Sequence, residues 1–367
     1  MSKSIPADDA GGTNSLERTA ESSSNESIMT VPCKSEMAQE MWALYQKGEP
    51  LFTRKMIENA DNQARLTLGK EMLLYGIDGR KYTVTYDEPE YKFEDGSPIY
   101  VSGLSFRGIH MLTDTNEYGW KIAPFCSTLI LVCKDRTRYK EPSSSELDAV
   151  RARFQDQQVM WHNSKTYSSF VTKFEAAIVP DRVEKIVCFG LGRLMSLWDT
   201  SHVDGTQNRE RAWVQHAMAL TMAKCIGLAS GRKISLYTQD PDYRSVDKKF
   251  LEEVGFTICD GSKGLLMTDE RTLVFSVAPL MPLKQIIADI ARPEAMVWDM
   301  PHQQANFASR AVPDWIKENR ELFTSYNINE ESSRSLAMKE NYNVQQIASS
   351  RSWFGNLELL VKKQDCR

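Results

Sequence analysis

Two glycines one residue apart, Gly190 and Gly192, close the apolar run KIVCF at residues 185–189. Where a strand breaks into Gly-x-Gly, the backbone can turn tightly and let a phosphate or nucleoside come close, with a helix N-terminus supplying positive dipole. The full dinucleotide fingerprint adds a third glycine and an acid about 20 residues on. Here position 195 is Met, Arg193 follows the pair, and the next strand-end acid is Asp240, closing ISLYTQD. A methyltransferase-like turn tolerates the missing glycine and uses an acid on its second strand, which Asp240 supplies. The competing reading is a strand-to-loop turn that holds no ligand. The loop SVAPLMP at 276–282 exits a later strand at the same edge, and Pro279 there walls the candidate cleft. The expected cofactor-binding set is therefore Gly190, Gly192, Arg193, Asp240 and Pro279. Its ligand is S-adenosylmethionine or another nucleotide, with haem ranked behind them.

Other reactive residues fall short of a complete set. The polar stretch from Leu194 to Glu210 holds Trp198, Asp199, His202 and Asp204; His202 and Asp204 offer two metal ligands where a site needs more. The plainer reading of that stretch is a surface loop before the helix that begins at Arg209. Asp299 and His302 near a strand end could pair for acid–base work, or Asp299 could cap or pair with a cation. Ser276 is the one nucleophile type in its loop. No GxSxG elbow is present, and Cys188 lies mid-strand, where a buried thiol is inert. His162, in WHNSKTY, reads as a surface or packing residue. No catalytic residue and no metal ligand is assigned.

The elements that must position these residues follow a regular rhythm. ELDAVRARFQDQQVMWHNS and YSSFVTKFEAAIV read as helices, then KIVCFGLG as a strand and RERAWVQHAMALTMAKCIG as an apolar helix. KISLYTQDP, FTICD, TLVFSVAP and AMVWDMP read as further strands, with helices DKKFLEEVGF, ending at Gly255, and LKQIIADIA between them. Strands alternating with helices imply a mostly parallel sheet with helices on both faces, and near-continuous apolar strands imply burial on both sides. The expected fold class is α/β, a Rossmann-like three-layer sandwich, with the candidate site at the carboxyl ends of the first, second and fourth of these strands.

Ahead of this domain, residues 36–75 read as helical, with Gly48 and Gly76 as helix ends. KYTVTYDEP, PIYVSGLSF and STLILVC read as strands, giving a small α+β unit closed by a linker at 134–146. The expected organisation is a disordered tail over 1–35, the α+β region over 36–145, the Rossmann-like domain over 150–305, and a helical or loosely ordered tail over 306–367. That last tail carries one helix near Asp314–Phe323. Its Trp353, Phe354, Leu357, Leu359 and Leu360 dock on the body or serve a partner.

Composition narrows the function classes. The 367 residues carry 45 basic and 49 acidic side chains, a net charge of −4 that gives no electrostatic reason to expect nucleic acid. Seven cysteines form no CxxC pair, so neither a disulfide framework nor a cysteine-rich zinc site is indicated. The N-terminus lacks the apolar stretch of a signal peptide, and the longest apolar run, about STLILVC, is far short of the roughly 20 residues a membrane helix needs. The expectation is a soluble protein of the cytoplasm, with the nucleus as a second compartment, and no membrane contact.

Several pieces in order resemble one family: WHNSKTYSSFVTKFE, KIVCFGLG, WVQHAMALTMA, YTQDPDYRSVDKKFLEEVGFTI and TLVFSVAPLMP. The chain resembles the sensitivity-to-red-light-reduced (SRR-like) family over roughly 155–305, as a divergent fungal-type member. The most specific piece is the turn at Asp240 and Pro241, followed by a helix carrying Leu251 and ending at Gly255. The resemblance implies a Rossmann-like domain and regulatory roles: light signalling, circadian control, cytoskeletal stability and haem-related regulation. It implies no agreed reaction. Two departures stand out: Arg193 where the family commonly has Ser, and Ala278-Pro279-Leu280 where it commonly has Met-Pro-His. The expected function is a non-catalytic regulatory or interaction protein with protein partners; the alternative is a nucleoside-cofactor-binding, methyltransferase-like enzyme.

Overall fold

A computed structural model describes residues 34–66, 71–85, 100–113, 125–134, 141–194, 203–300 and 328–364. The expected tail before residue 34, the helix near Asp314–Phe323, and Trp198, Asp199, His202 and His302 lie outside the described residues, as does the side chain of Asp204.

The N-terminal part begins with helices α1 (Lys34–Gln46) and α2 (Arg54–Leu66), followed by strands β1 (Glu71–Tyr75) and β2 (Lys81–Thr85). Then come β3 (Tyr100–Phe106), the short helix α3 (Ile109–Thr113) and β4 (Thr128–Lys134). β1 pairs antiparallel with β2, and β3 with β4, so this is an α+β arrangement of two antiparallel strand pairs and helices. One expectation is corrected here: residues 71–75 are a strand, not the end of a helix. Gly76 sits in the β1–β2 turn, donating its N–H to Arg80 O, because EMLLY alternates buried and exposed residues with period two.

The larger part continues with α4 (Ser144–His162), α5 (Lys165–Ala177), β5 (Lys185–Phe189), α6 (Val203–Ser230), β6 (Ser235–Gln239) and α7 (Ser245–Glu253). It ends with β7 (Phe256–Ile258), α8 (Lys263–Met267), β8 (Thr272–Ser276), α9 (Leu283–Ile290), β9 (Ala295–Asp299), α10 (Ser333–Lys339), β10 (Tyr342–Ser350) and β11 (Gly355–Lys362). The seven-stranded sheet runs β10-β11-β9-β8-β5-β6-β7. β9, β8, β5, β6 and β7 are mutually parallel, β11 is antiparallel to β9, and β10 is antiparallel to β11.

The three layers follow from side-chain alternation. Ile186 and Cys188 of β5 point into one core with α4, α5, α6 and α7; Val187 and Phe189 point into the other with α1, α3, α8 and α9. All five residues of β8 and of β9 are buried, as strands covered on both faces must be. The N-terminal part therefore closes one face of the sheet. It is tied there by Asp289 of α9, whose carboxylate accepts the N–H groups of Leu51 and Phe52 and pairs with Arg334 of α10.

Two expectations from the sequence do not survive. The polar stretch is not loop as far as Glu210, because α6 starts at Val203. The C-terminal region is not a helical or loose tail, because β10 and β11 complete the central sheet. Leu357, Leu359, Leu360 and Val361 supply buried packing, and the hairpin turn is pinned from the side. Arg211 Nε donates to Ser352 O (3.0 Å) and Gln215 Nε2 to Trp353 O (3.0 Å), while Trp353 and Phe354 pack edge-on against Trp161.

Candidate functional site

β5 is where the sheet order reverses: the chain leaves it for β6 and β7 on one side and returns to β8 on the other. Ligands of open α/β sheets bind outside the carboxyl ends of strands at such a point. Gly190, Gly192, Asp240 and Pro279 all lie here, so the topology brings together four of the five expected residues, and Arg193 follows on the same loop.

The glycine turn is held by the protein itself. Gly190 has φ +65° and Gly192 φ +81°, both in the left-handed region that favours glycine. A Cβ on Gly190 would lie 3.1 Å from both Cα and Cβ of Pro279, so close approach of the β8 loop already demands a glycine. Gly190 donates its N–H to Gln239 O (3.0 Å) and Gly192 donates to Asp240 Oδ2 (2.7 Å). Leu194 donates to Asp247 Oδ1 (3.0 Å). Three of the five N–H groups from 190 to 194 are thus satisfied internally, which leaves little of an anion cradle.

Asp240 is tied down in the same way. Its other oxygen, Oδ1, accepts from Asp242 N–H (2.8 Å), forming an Asx turn after β6. Burial raises its pKa, and the N–H groups of Asp242 and Gly192 hold it back toward the charged form. Asp247 repeats the device at the start of α7, where Oδ2 accepts from Arg244 N–H (2.9 Å). Both carboxylates brace loops.

Beneath the turn lies a chain of hydrogen bonds that the sequence did not reveal. His216 of α6 is fully buried; its Nδ1 is 2.6 Å from Ala212 O, and its Nε2 is 2.7 Å from the Tyr243 hydroxyl. A carbonyl only accepts, so Nδ1 carries the proton and Nε2 accepts from Tyr243. Tyr243 then accepts from Thr238 Oγ1, 2.7 Å away. The relay Thr238→Tyr243→His216→Ala212 bolts α6 to the end of β6. Burial lowers the His216 pKa to about 4, outweighing the bond to Ala212 O. The signal in the sequence was a lone His on an apolar helix face, which carries no hint of its partner 27 residues on.

The remaining candidates also turn inward. Ser276 is buried and donates its hydroxyl to Phe189 O (2.8 Å). Asp299 accepts from Asn329 Nδ2 (3.1 Å), and the buried Lys284 ammonium donates to Asp299 O (2.8 Å). Lys284 also stands 3.5 Å from Glu331, and Lys339 bridges Glu331 (2.6 Å) and Glu358. Cys188 is buried, and desolvation pushes its thiol up. His162 stacks edge-on against Tyr167. Among the described residues no group of three His, Cys, Asp or Glu could hold a metal ion, and no helix is long and apolar enough to cross a membrane.

Ala278 takes φ +47°, unusual for a residue with a Cβ, and the loop it bends presents Leu280 with 86% of its surface exposed. This is the position where the family resemblance expects a histidine.

Three comparisons bear on this geometry. Residues 170–350 match the family model of the SRR1 domain, so the chain carries an SRR1 domain, and the match runs through β10. No curated protein matches the chain. A solved structure titled "Structure of the 16S rRNA methylase ArmA" is similar at 9% identity and a TM-score of 0.27, over 61% of this chain and all of that one. No conclusion about activity rests on a likeness of that size.

Proposed function

We propose that this SRR1-domain chain is a non-catalytic regulatory module that acts by binding a protein partner. One observation carries the reading: among the described residues, the carboxylates of Asp240 and Asp247 and the hydroxyl of Ser276 at the carboxyl edge of the sheet are held by the protein's own hydrogen bonds. Asp240 holds Gly192 and Asp242, Asp247 holds Leu194 and Arg244, and Ser276 holds Phe189 O. A reacting centre needs such groups aimed at a substrate atom. The edge instead offers Leu280, exposed on a loop strained at Ala278.

A second reading, a methyltransferase-like enzyme binding a nucleoside cofactor, is favoured by the sheet itself. Counted along the chain as one to seven, β5 to β11 lie in the order 3-2-1-4-5-7-6 with the seventh antiparallel, which is the strand order of class I methyltransferases. Gly190 and Gly192 stand at its switch point beside Asp240. The argument is one of fold, and fold alone does not bring function.

A thermal-shift and calorimetry screen of the full chain with S-adenosylmethionine, NAD(P), ATP and haem separates the two. A ligand raises the melting temperature by an amount that grows with its concentration over Kd. The proposal expects no saturable shift with any of them. A saturable shift with S-adenosylmethionine that Asp240→Ala weakens would overturn it and establish the second reading.

A further inference from the structure

β10 is the edge of the central sheet, nine residues long, and among the described residues no strand pairs with its outer side. Lys363 donates its N–H to Asn341 O, which sets the phase of the antiparallel ladder between β10 and β11. In such a ladder alternate residues bond to the neighbour. Asn343 and Gln345 therefore bond toward Val361 and Leu359, while Tyr342, Val344 and Gln346 turn N–H and C=O away from the sheet. Lys173 Nζ, 3.2 Å from Gln346 O on the outer side, agrees with that phase.

Edge strands are normally guarded by charge, proline, bulges or cover. Here a bulge between Gln346 and Ala348 guards the second half, and the Lys173 ammonium sits on Gln346 O where the two halves meet. Among the described residues Tyr342 to Gln345 carry neither guard. Asn343, Val344, Gln345 and Gln346 are exposed in succession, so both faces of the strand reach solvent, and Val344 is 46% exposed.

We propose that β10 is the dimerisation edge of this protein, where a second copy of the chain adds its own β10 antiparallel about a two-fold axis centred on Val344. Charge selects the occupant. In a two-fold antiparallel pair the residue on the axis meets itself, so a charge there would face a like charge at short range. The segment YNVQQIASS, Tyr342–Ser350, contains none. Register is compatible as well: Val344 of one copy faces Val344 of the other, and Tyr342 faces Gln346. All of these are residues whose peptide groups point outward. The two sheets then run on as one of fourteen strands, twice the seven of each copy. The Lys173 ammonium must leave Gln346 O, which costs little for an exposed side chain.

The test is sedimentation velocity on the full chain from micromolar to millimolar concentration. The wild type shows a concentration-dependent shift from monomer to dimer mass. Val344→Lys and Val344→Glu, each placing like charges across the axis, weaken the dimer at least tenfold. An equimolar mixture of the two restores it, because Lys then faces Glu. Circular dichroism and melting temperature, unchanged for an exposed position, show that each variant is folded. A wild type that stays monomeric throughout refutes the proposal. So does a Val344→Lys chain that dimerises like the wild type, or a mixture no better associated than its components.

Discussion

The buried histidine makes stability depend on acid in a way that can be computed and then removed. His216 is neutral inside the relay, with a pKa lowered by burial from 6.5 to about 4. Unfolded chains bind the proton near the ordinary value, so between these limits the unfolded state holds more protons than the folded one. The sign follows: the stability contributed by neutral His216 is present above about pH 6.5 and is lost as pH falls toward about 4. Inside that window the slope is about 1.4 kcal/mol per pH unit, so the whole span is worth about 3 kcal/mol and the part realised by about pH 4.5 about 2 kcal/mol. His216→Leu abolishes the titration and keeps an apolar side chain in the core. At about pH 7 it leaves the Tyr243 hydroxyl without its acceptor and costs about 1–3 kcal/mol. Urea unfolding of both proteins from about pH 7 to about pH 4.5 should show the gap between them closing by about 2 kcal/mol. If the two lose stability in parallel, His216 is not held neutral by this relay, and the assignment of its protons is wrong.

Two further substitutions test the bracing of the sheet edge. Gly190→Ala forces a Cβ to 3.1 Å from Pro279 at φ +65°, whereas Gly79, at φ +76°, has nothing within 4 Å of its Cβ position. Both pay the left-handed cost of roughly 1–2 kcal/mol, and only Gly190→Ala adds the clash, so it should be the more destabilising by about 1 kcal/mol or more in urea unfolding; equal losses would mean the β8 loop yields freely. Lys284→Met removes one of two cations from a cluster with Asp299, Glu331 and Glu358, and should cost about 3–5 kcal/mol by leaving the buried Asp299 carboxylate without a cation while Lys339 still holds Glu331 and Glu358, read as a lowered urea midpoint. A loss below about 1 kcal/mol would show the cluster to be well hydrated.

The parallel strands were legible because burial on both faces writes itself into sequence. KIVCF, TLVFS and AMVWD each carry three or four consecutive apolar residues, and a glycine or proline follows within three residues of the observed end. Helices α4 to α7 and α9 were legible by period, and Gly255 ends α7 at φ +102° as its place in the sequence suggests. The C-terminal hairpin was not. β10 lies at the edge with Asn343, Val344, Gln345 and Gln346 exposed, so no alternation survives in YNVQQ. Its partner strand reads NLELLVK, an apolar run equally compatible with a helix. What decides it is long-range: the ladder from β9 to Leu357–Val361 and the grip of Arg211 and Gln215 on the turn.

The same distinction governs the candidate site. Gly190, Gly192, Asp240 and Pro279 lie at one edge because strand ends of a doubly wound sheet converge by topology. What those residues do depends on atoms a few ångströms apart. A glycine that a cofactor requires and a glycine that Pro279 requires are the same letter. A carboxylate aimed at a ribose and one accepting Gly192 N–H are likewise the same letter. In this fold the distances are 2.7 Å from Gly192 N to Asp240 Oδ2 and 3.1 Å from a Gly190 Cβ to Pro279. Each constraint on the Gly-x-Gly turn therefore has a source inside the fold, and a ligand is not needed to explain why glycines stand there. Binding, where it is tested, must be judged by whether Asp240 gives up these bonds.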